Sequence, residues 1–322
     1  MEDFPTPVVV VSKCLGFAPV RWNGEVIADS FVEGLGKFAS YVPVCPEVEI
    51  GLGVPRKPVR LVLKDGDVRM IQPDTGEDVT EKMEKFAGSF LSSLEEVDGF
   101  IMKSRSPSSG IKDVKIYPGL EKVAAVSKGA GLFGKEILER FPHLPAEDEG
   151  RLTNFNLREN FLTRIFNHAD FRRVKKSGKT KELVDFHARN KLLFMAYNQK
   201  ELKAMGRVLA NPEKKKFPDL VADYEEHLAS AFGRTPRRTS IINVLMHASG
   251  YFKKSLTAKE KAYFLDALEK YRSGELPLIA VQSVLKSWAV RYESEYLLGQ
   301  TFFRPFPEGI IGFRDSGKGI QR

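Results

Sequence analysis

Cysteine is scarce in this chain, whose 322 residues include only two, Cys14 and Cys45. Two cysteines exclude the multi-bridge frameworks that hold small secreted domains together, although a single bridge is possible on paper. In a chain of the reducing cytoplasm, cysteines are more often buried, catalytic or bound to a metal. Without a further pattern, buried structural thiols are the simplest interpretation of this pair.

Long hydrophobic runs are missing as well. A membrane-spanning helix needs roughly 20 apolar residues in succession, and no run in the sequence approaches that length. The longest early run, Val8–Val11, follows the acidic residues Glu2 and Asp3. A secretory signal peptide instead begins with basic residues and has a longer apolar stretch, so we expect a cytoplasmic protein.

Positive charge is unevenly distributed along the chain. The net charge is +8, made up of −6 over residues 1–150 (18 Lys and Arg against 24 Asp and Glu) and +14 over residues 151–322 (32 against 18). A solubilising surface would account for a modest basic excess. The excess in the second half favours a polyanionic partner, and nucleic acid is the partner that we expect.

The hydrophobic pattern predicts two domains of different class, and the length agrees at about 100–200 residues per domain. Residues 1–150 alternate between strand and helix signals, which predicts an α/β domain with a mostly parallel sheet. Residues 143–150 lack periodicity and are expected to connect it to an all-α domain over residues 151–322. The stretch from Phe302 to Arg322 is expected to be irregular. The predicted strands are Val8–Val11, Tyr41–Val44, Val59–Leu63, Val68–Ile71 and Phe100–Lys103, and the predicted helices are Ile27–Ser40, Val79–Val97 with Thr80 as its cap, Leu132–Phe141, Leu157–Arg173, Thr180–Ala210, Phe217–Ala231, Thr239–Lys254, Thr257–Ser273 and Leu278–Leu298.

Three candidate sites for chemistry follow predicted strands of the first domain. They are Cys14, Cys45 and the segment 106–110, which reads Ser-Pro-Ser-Ser-Gly. Ligands of an open parallel sheet bind beyond the carboxyl ends of its strands. If these strands are neighbours, Cys14, Cys45 and Ser109 meet in one pocket.

The residues around these positions form an ordered series of motifs. The motifs are residues 11–16 (Val-Ser-Lys-Cys-Leu-Gly), 21–24 (Arg-Trp-Asn-Gly), 44–47 (Val-Cys-Pro-Glu), 51–58 (Gly-Leu-Gly-Val-Pro-Arg-Lys-Pro), 75–80 (Thr-Gly-Glu-Asp-Val-Thr) and 103–108 (Lys-Ser-Arg-Ser-Pro-Ser). Each motif alone is a weak signal, but their ordered combination over residues 8–141 resembles the thiouracil desulfidase family. The second half resembles the helical YbgA-like domain at residues 186–191, 243–247, 250–253, 260–261, 271–278 and 296–300. The combination is similar to the two-domain desulfidases that remove sulfur from 4-thiouridine in tRNA.

The resemblance to the desulfidases implies a 4Fe-4S cluster held by three cysteines, with one iron left open. Cys14 matches the first ligand and Cys45 the second, but the third position, a cysteine in the family's Ser-Pro-Ser-Cys-Gly motif, is Ser109 here. Soft thiolates suit such clusters, and a serine hydroxyl is far less acidic. The departure therefore predicts an inactive or impaired form, and the intact flanking motif favours a substitution over natural variation.

The resemblance also implies a mechanism. The open iron would polarise the thiocarbonyl group of the substrate. Glu47 would activate water as a general base, and Ser106 would orient the substrate. Ser12, Arg56 and Lys103 are candidate substrate contacts for which a structural role fits the sequence equally well.

A basic stretch in the first helix of the second half is expected to track the phosphates of tRNA. It comprises Arg164, His168, Arg172, Arg173, Lys175 and Lys176, of which the first three share one helix face. Further clusters lie at residues 214–216 and 234–238. Two alternatives stay open, namely a desulfidase of free thiouracil and a non-catalytic RNA-binding protein that has lost its cluster. A monomer is favoured.

Overall fold

The computed structural model describes residues 4–121 and 124–310. The chain divides into two compact units, one up to Ala169 and the other from Asp170 to Glu308. The division lies inside a long helix, and not at the predicted connector, because the first half of that helix packs within the first unit. There, an Arg164 Nη2 donates to the carbonyl of His143 at 2.8 Å, and the ring of Phe166 meets that of Phe4 edge-on. Over the described ranges, none of the helices combines the length and the apolarity that crossing a bilayer requires.

The first unit alternates strands and helices, as predicted. Its strands are β1 Val8–Ser12, β2 Ser40–Val44, β3 Arg60–Lys64, β4 Asp67–Ile71, β5 Gly99–Met102, β6 Val114–Tyr117, β7 Ser127–Gly129 and β8 Ala146–Asp148. Its helices are α1 Ser30–Leu35, α2 Pro46–Glu49, α3 Thr80–Ser92 and α4 Leu132–Arg140. The α/β class of this part of the chain is thereby confirmed.

A four-stranded, wholly parallel sheet determines the position of the candidate site. Its strand order is β2-β1-β5-β8, so β1 lies between β2 and β5. Ser12 pairs with Val44, and Val11 pairs with Ile101. β1 and β5 are apolar and buried over nearly their whole length, as expected for strands covered on both faces. The carboxyl ends of these three strands therefore meet at one edge of the sheet, which confirms the adjacency that the sequence could only assume.

A second sheet was not anticipated as a separate layer. Its order is β4-β3-β6-β7, with an antiparallel hairpin between β3 and β4, a parallel pair between β3 and β6, and an antiparallel pair between β6 and β7. The hairpin turn at Asp65-Gly66 was predicted from its sequence, and both residues have positive φ there. The strands β6 and β7 were missed because each has only three or four residues and lacks a long alternating pattern.

Two local predictions for the first unit were wrong. Residues 143–150 are more than a connector, because they contain β8, which pairs in parallel with β5 at the sheet edge. Thr80 does not cap α3 but is its first residue, and its hydroxyl accepts a hydrogen bond from the Met70 amide at 2.8 Å. The Asp78 carboxylate accepts from the Thr80 amide instead, which satisfies an amide exposed at the start of the helix.

The second unit is helical, as predicted. Its helices are α5 Phe155–Ser177, which begins in the first unit, α6 Thr180–Tyr197, α7 Gln199–Ala210, α8 Phe217–Ala231, α9 Arg238–Ser249, α10 Ala258–Ser273, α11 Leu278–Arg291 and α12 Glu295–Leu298. The predicted helix Thr180–Ala210 is broken at Asn198, whose side chain caps α7. The capping box of Thr257 and Glu260 is present at the start of α10. Of the stretch expected to be irregular, Thr301–Phe303 forms a 3-10 turn, and residues 311–322 lie outside the described ranges.

Candidate active site

One cavity opens where β1, β2 and β5 end. Its volume is about 300 Å³, and Cys14, Cys45 and Ser109 all line it. Cys14 lies in the turn that follows β1, Cys45 directly follows β2, and Ser109 lies in the loop that follows β5. The parallel register of these strands therefore brings together three chain segments that are far apart in sequence.

Both cysteines of the cavity are free thiols. Burial, and then the neighbouring Cys45, raise the pKa of Cys14 to about 11. Burial also raises the pKa of Cys45, against the lowering effect of the Val48 amide. The Cys45 Sγ donates to the carbonyl of Val20 at 3.7 Å. Without a bound cation, both side chains are therefore protonated near neutral pH.

The serine loop, residues 106–110, is held against the start of α4 by backbone hydrogen bonds. The Gly131 amide donates to the Gly110 carbonyl at 2.7 Å, and the Gly134 amide donates to the Ser108 carbonyl at 3.1 Å. No side chain fits at these two glycines. A Cβ on Gly131 would lie 2.4 Å from the Ser108 carbonyl oxygen, and one on Gly134 would lie 2.4 Å from the Gly110 carbonyl oxygen. Close backbone contact thus fixes where Ser109 stands.

A chain of hydroxyl groups leads from the serine loop to a buried carboxylate. The Ser108 Oγ donates to Glu47 Oε1 at 2.7 Å, and the Ser106 Oγ lies 2.9 Å from the Ser108 Oγ. The other oxygen of Glu47 accepts from the Arg56 Nε at 2.8 Å, and this ion pair is almost completely buried. Arg56 also donates to the carbonyl of Val20. Glu47, Ser106 and Arg56, three of the residues predicted for the site, therefore belong to one connected network.

Ser12 and Lys103 also line the cavity, and both are engaged in structural contacts. The Ser12 hydroxyl accepts from the Lys103 amide at 2.8 Å, which joins the ends of β1 and β5. The Lys103 ammonium pairs with Glu149, whose carboxylate also accepts from the Ser104 amide and hydroxyl. Burial opposes ionisation of Glu149, but the hydrogen bonds from Lys103 and Ser104 prevail and lower its pKa.

The donor set for a cluster is incomplete in this chain. Two thiols and one hydroxyl stand at the three positions, and no group of three or more His, Cys, Asp or Glu side chains is placed to hold a metal ion among the described residues. All three residues line one cavity, but the hydroxyl of Ser109 does not suit iron as a thiolate does. The residues present therefore do not fit a 4Fe-4S cluster with three cysteine ligands.

In the predicted basic stretch on α5, some side chains pack inside the protein and others are exposed to solvent. His168 is buried, and Arg164 donates to a backbone carbonyl, so interactions within the protein engage both side chains. Arg172 is half-buried, whereas Arg173, Lys175 and Lys176 are exposed. Arg173 pairs with Asp170, and Lys175 pairs with Glu225. The shared face of Arg164 and His168 is thus mainly a packing face, and contact between α5 and phosphates stays a prediction.

Sequence reasoning missed several residues that shape the cavity. They are Lys13, Trp22, Arg105 and Ser108, which line it, and Glu149, which holds Lys103. Lys13, Trp22, Arg105 and Ser108 lie inside the motifs that define the family resemblance, so their position was a signal. Which of them face the cavity depends on the loop conformations, which the hydrophobic pattern does not specify.

Comparisons with known families and proteins match two separate parts of the chain. Residues 9–149 match the family model described as 2-thiouracil desulfurase, and residues 191–307 match the one described as protein of unknown function DUF1722. The chain is 30% identical over 161 residues to the Escherichia coli (strain K12) protein named "Uncharacterized protein YbgA", which covers 49% of this chain and 95% of that protein. It is 32% identical over 110 residues to the Bacillus subtilis (strain 168) protein named "Uncharacterized protein YbbK", which covers 32% of this chain and 73% of that protein.

A solved structure also matches the first half. It is a 4Fe-4S-dependent thiouracil desulfidase, TudS, with 27% identity and a TM-score of 0.37, over 46% of this chain and 93% of that one. A TM-score this low adds nothing to the fold described above. On the two family models and the two relatives, the chain belongs to the family in which a 2-thiouracil desulfurase domain is joined to a YbgA-like DUF1722 domain.

Proposed function

We propose that the protein is an iron–sulfur-dependent desulfidase that removes sulfur from thiolated uracil, with 4-thiouridine in tRNA as its substrate and uridine and sulfide as its products. In this chain, Ser109 impairs the activity. The observation that carries the proposal is the single cavity that holds Cys14, Cys45, Ser109 and Glu47 together. The family membership of residues 9–149 supports the same reaction class.

The contacts in the cavity indicate a role for each group. A cluster, when bound at three cysteines, supplies a Lewis acid for the thiocarbonyl sulfur. Glu47 is placed as the general base for water, since it is buried at the cavity and held there by its contact with Arg56. Ser108 donates to Glu47, which leaves the Ser106 hydroxyl to donate to Ser108 or to orient the substrate. Because Ser109 leaves the donor set incomplete, the present chain lacks the third thiolate that would hold the cluster.

Activity on tRNA tests this proposal. After anaerobic reconstitution, the Ser109→Cys chain is expected to remove 4-thiouridine from bulk tRNA with release of sulfide. Adding Glu47→Gln should slow that reaction by about 10²–10⁴-fold, because positioned general acid–base catalysis contributes about that factor. Nucleoside analysis of the tRNA and a sulfide assay measure both effects.

Glu136 offers a matched control for Glu47. Glu136 also pairs with an arginine, Arg140, but neither residue lines the cavity. Glu136→Gln in the Ser109→Cys chain should leave the rate unchanged. Equal rates for the Glu47→Gln and Glu136→Gln chains would remove Glu47 from the mechanism, provided that thermal unfolding shows both variants folded.

The positive charge of the second half supports tRNA as the substrate. Residues 151–322 carry 32 Lys and Arg against 18 Asp and Glu. Arg234 and Arg237 are exposed, and no hydrogen bond or ion pair within the described residues engages their side chains. They precede α9 and are available to phosphates.

Salt-dependent binding tests the tRNA assignment. Replacing Arg234 and Arg237 together by Gln is expected to weaken tRNA binding and to lower the slope of log affinity against log salt by about 1 for each lost phosphate contact. Lys85→Gln with Lys112→Gln removes the same charge from exposed positions of the first unit and should leave the slope unchanged. Identical slopes for the two double variants would argue against this patch as a tRNA contact.

A second candidate function is supported by Ser109 itself. A chain whose cluster position has lost its third thiol could act only by binding RNA. A third arrangement, desulfidation of free thiouracil, would need no second unit. In the Ser109→Cys chain, binding of tRNA without loss of 4-thiouridine favours a protein that only binds RNA. Turnover of free thiouracil but not of tRNA favours a desulfidase of free thiouracil.

A further inference from the structure

One stretch of the second unit, residues 227–259, contains no Asp or Glu. It carries six Lys and Arg, and the helix α9 lies in its middle. Arg234 and Arg237 precede the helix, and Lys253 and Lys254 follow it. Within the described part of the chain, no hydrogen bond or ion pair engages the side chains of Lys253 and Lys254, which are exposed. Unpaired positive charge at both ends of one helix indicates an anionic partner that lies along it.

One face of α9 connects the two groups of cations. Its residues Thr239, Asn243 and His247 are exposed and recur at four-residue steps, so they share that face. Met246 lies beside them and is 44% exposed. The helix has 12 residues and is therefore about 18 Å long. A few nucleotides of an extended strand are enough to span this length.

Two stacked tyrosine rings lie at the end of this face. The ring centroids of Tyr251 and Tyr296 are 5.3 Å apart with an interplanar angle of 21°, and the two residues are 49% and 36% exposed. The ring of His247 meets that of Tyr251 edge-on at 5.8 Å, which joins the tyrosine pair to the exposed face of α9. Burial, and then the neighbouring Tyr251, raise the pKa of Tyr296 to about 12. Tyr296 therefore carries no charge near neutral pH that would repel a phosphate.

Buried neighbours hold the backbone of both tyrosines in place. Tyr251 lies in the 3-10 turn Gly250–Phe252, and the ring of Phe252 packs edge-on against that of Trp288 in the core. Tyr296 directly precedes Leu297, which is completely buried. Proteins that bind single-stranded nucleic acid combine exposed aromatic rings, on which bases stack, with cations that contact the phosphates.

We propose that the exposed face of α9 and the tyrosine pair form a binding surface for an unpaired RNA strand, in which the cations at both ends of α9 contact phosphates and a nucleobase stacks on Tyr251 and Tyr296. The inference rests on the proposed function and adds to it how the second unit recognises RNA. An unpaired strand suits this surface better than a duplex, whose bases are already stacked on one another. Glu293 and Glu295 precede Tyr296, but the six cations of residues 227–259 outnumber them.

Single-stranded and duplex RNA distinguish stacking from charge alone. A labelled single strand that cannot pair with itself and a blunt duplex with the same number of phosphates are titrated with the full chain, and fluorescence anisotropy measures binding. The duplex has the higher charge density, so phosphate contacts alone would favour it. With stacking, the single strand is expected to bind at least about fivefold more tightly than the duplex. Equal binding of both RNAs, or tighter binding of the duplex, overturns the proposal.

Variants of Tyr251 assign the stacking contact. Tyr251→Ala should weaken binding of the single strand by about 5–150-fold, the usual effect of losing one stacked base, and leave duplex binding unchanged. The slope of log affinity against log salt should stay the same, because the substitution removes no positive charge. Tyr251→Phe keeps the ring and should keep the affinity.

Tyr263 provides the matched control for Tyr251. It lies on α10, outside the α9 surface, and is 64% exposed. Tyr263→Ala should change the binding of neither RNA. Equal affinities of the Tyr251→Ala and Tyr263→Ala chains for the single strand would overturn the proposal. A dimer in sedimentation that is lost in Tyr251→Ala would also overturn it, because a second copy of the chain would then cover the surface.

The Ser109→Cys chain separates this inference from the proposed function. If Tyr251→Ala leaves its kcat/KM for 4-thiouridine in tRNA unchanged, the RNA-binding surface is overturned while the desulfidase stands. Binding of the single strand that depends on Tyr251, in a chain that releases no sulfide, would uphold the surface and overturn the desulfidase.

Discussion

The Ser109→Cys chain is expected to hold about four iron and four sulfide ions after anaerobic reconstitution, as for one cubane cluster. The Ser109 chain should hold several-fold less. Cys14 and Cys45 already line the cavity, and position 109 is buried on the same wall. Cysteine and serine differ little in size, so the substitution adds a soft, acidic donor and leaves the packing of the loop nearly unchanged. Iron and acid-labile sulfide analysis of the two chains, with the visible absorption of the cluster, measures the effect.

Ser108 provides the matched control for this prediction. It lies beside Ser109 in the same loop, is also buried and lines the same cavity. Its hydroxyl donates to the Glu47 carboxylate, and a carboxylate beside a thiol opposes ionisation of that thiol. Ser108→Cys should therefore gain no iron. If Ser109→Cys holds no more iron than Ser108→Cys, the enzyme function proposed for this chain fails.

The sequence predicted the placement of the site because that placement follows from strand order. Val8–Val11, Tyr41–Val44 and Phe100–Lys103 are short apolar strands, and each is followed by a polar motif. Ligands gather where parallel strands end, so the adjacency of β1, β2 and β5 was enough to bring Cys14 and Cys45 to one cavity. Periodicity identifies such strands, although it does not order them in the sheet.

The electrostatic detail of the cavity could not be predicted in the same way. The net charge of −6 over residues 1–150 gave no sign of five cations around one pocket. Pairings such as Arg56 with Glu47 and Lys103 with Glu149 depend on loops whose conformation is set by tertiary contacts. The helix face that carries Arg164 and His168 was predicted only in part. Helical spacing correctly placed both residues on one face, but it did not reveal that this face packs inward.

Gly134 is also important to the site, and the sequence did not indicate this. A Cβ on Gly134 would lie 2.4 Å from the Gly110 carbonyl oxygen and 3.1 Å from that of Ser109. Real Cβ contacts do not come closer than about 3.0 Å, and the obstructing atoms are backbone, which cannot rotate away. The serine loop would have to move by several tenths of an ångström. Sites of this kind tolerate only about 0.5 Å of displacement, so position 109 would leave its place beside Cys14 and Cys45.

Gly134→Ala is therefore expected to lower the free energy of unfolding by about 1–3 kcal/mol, the usual cost of overpacking. Introduced into the Ser109→Cys chain, it should also lower the iron content several-fold. Gly34→Ala is the matched control, because Gly34 also lies in a helix, α1, and a Cβ there would meet no atom within 4 Å. In that variant the free energy of unfolding should rise by about 0.5–1 kcal/mol, since alanine is the better helix former. Its iron content should not change. Denaturant unfolding and iron analysis distinguish the two variants. If both variants have the same stability and the same iron content, contact between α4 and the serine loop does not hold position 109 in place.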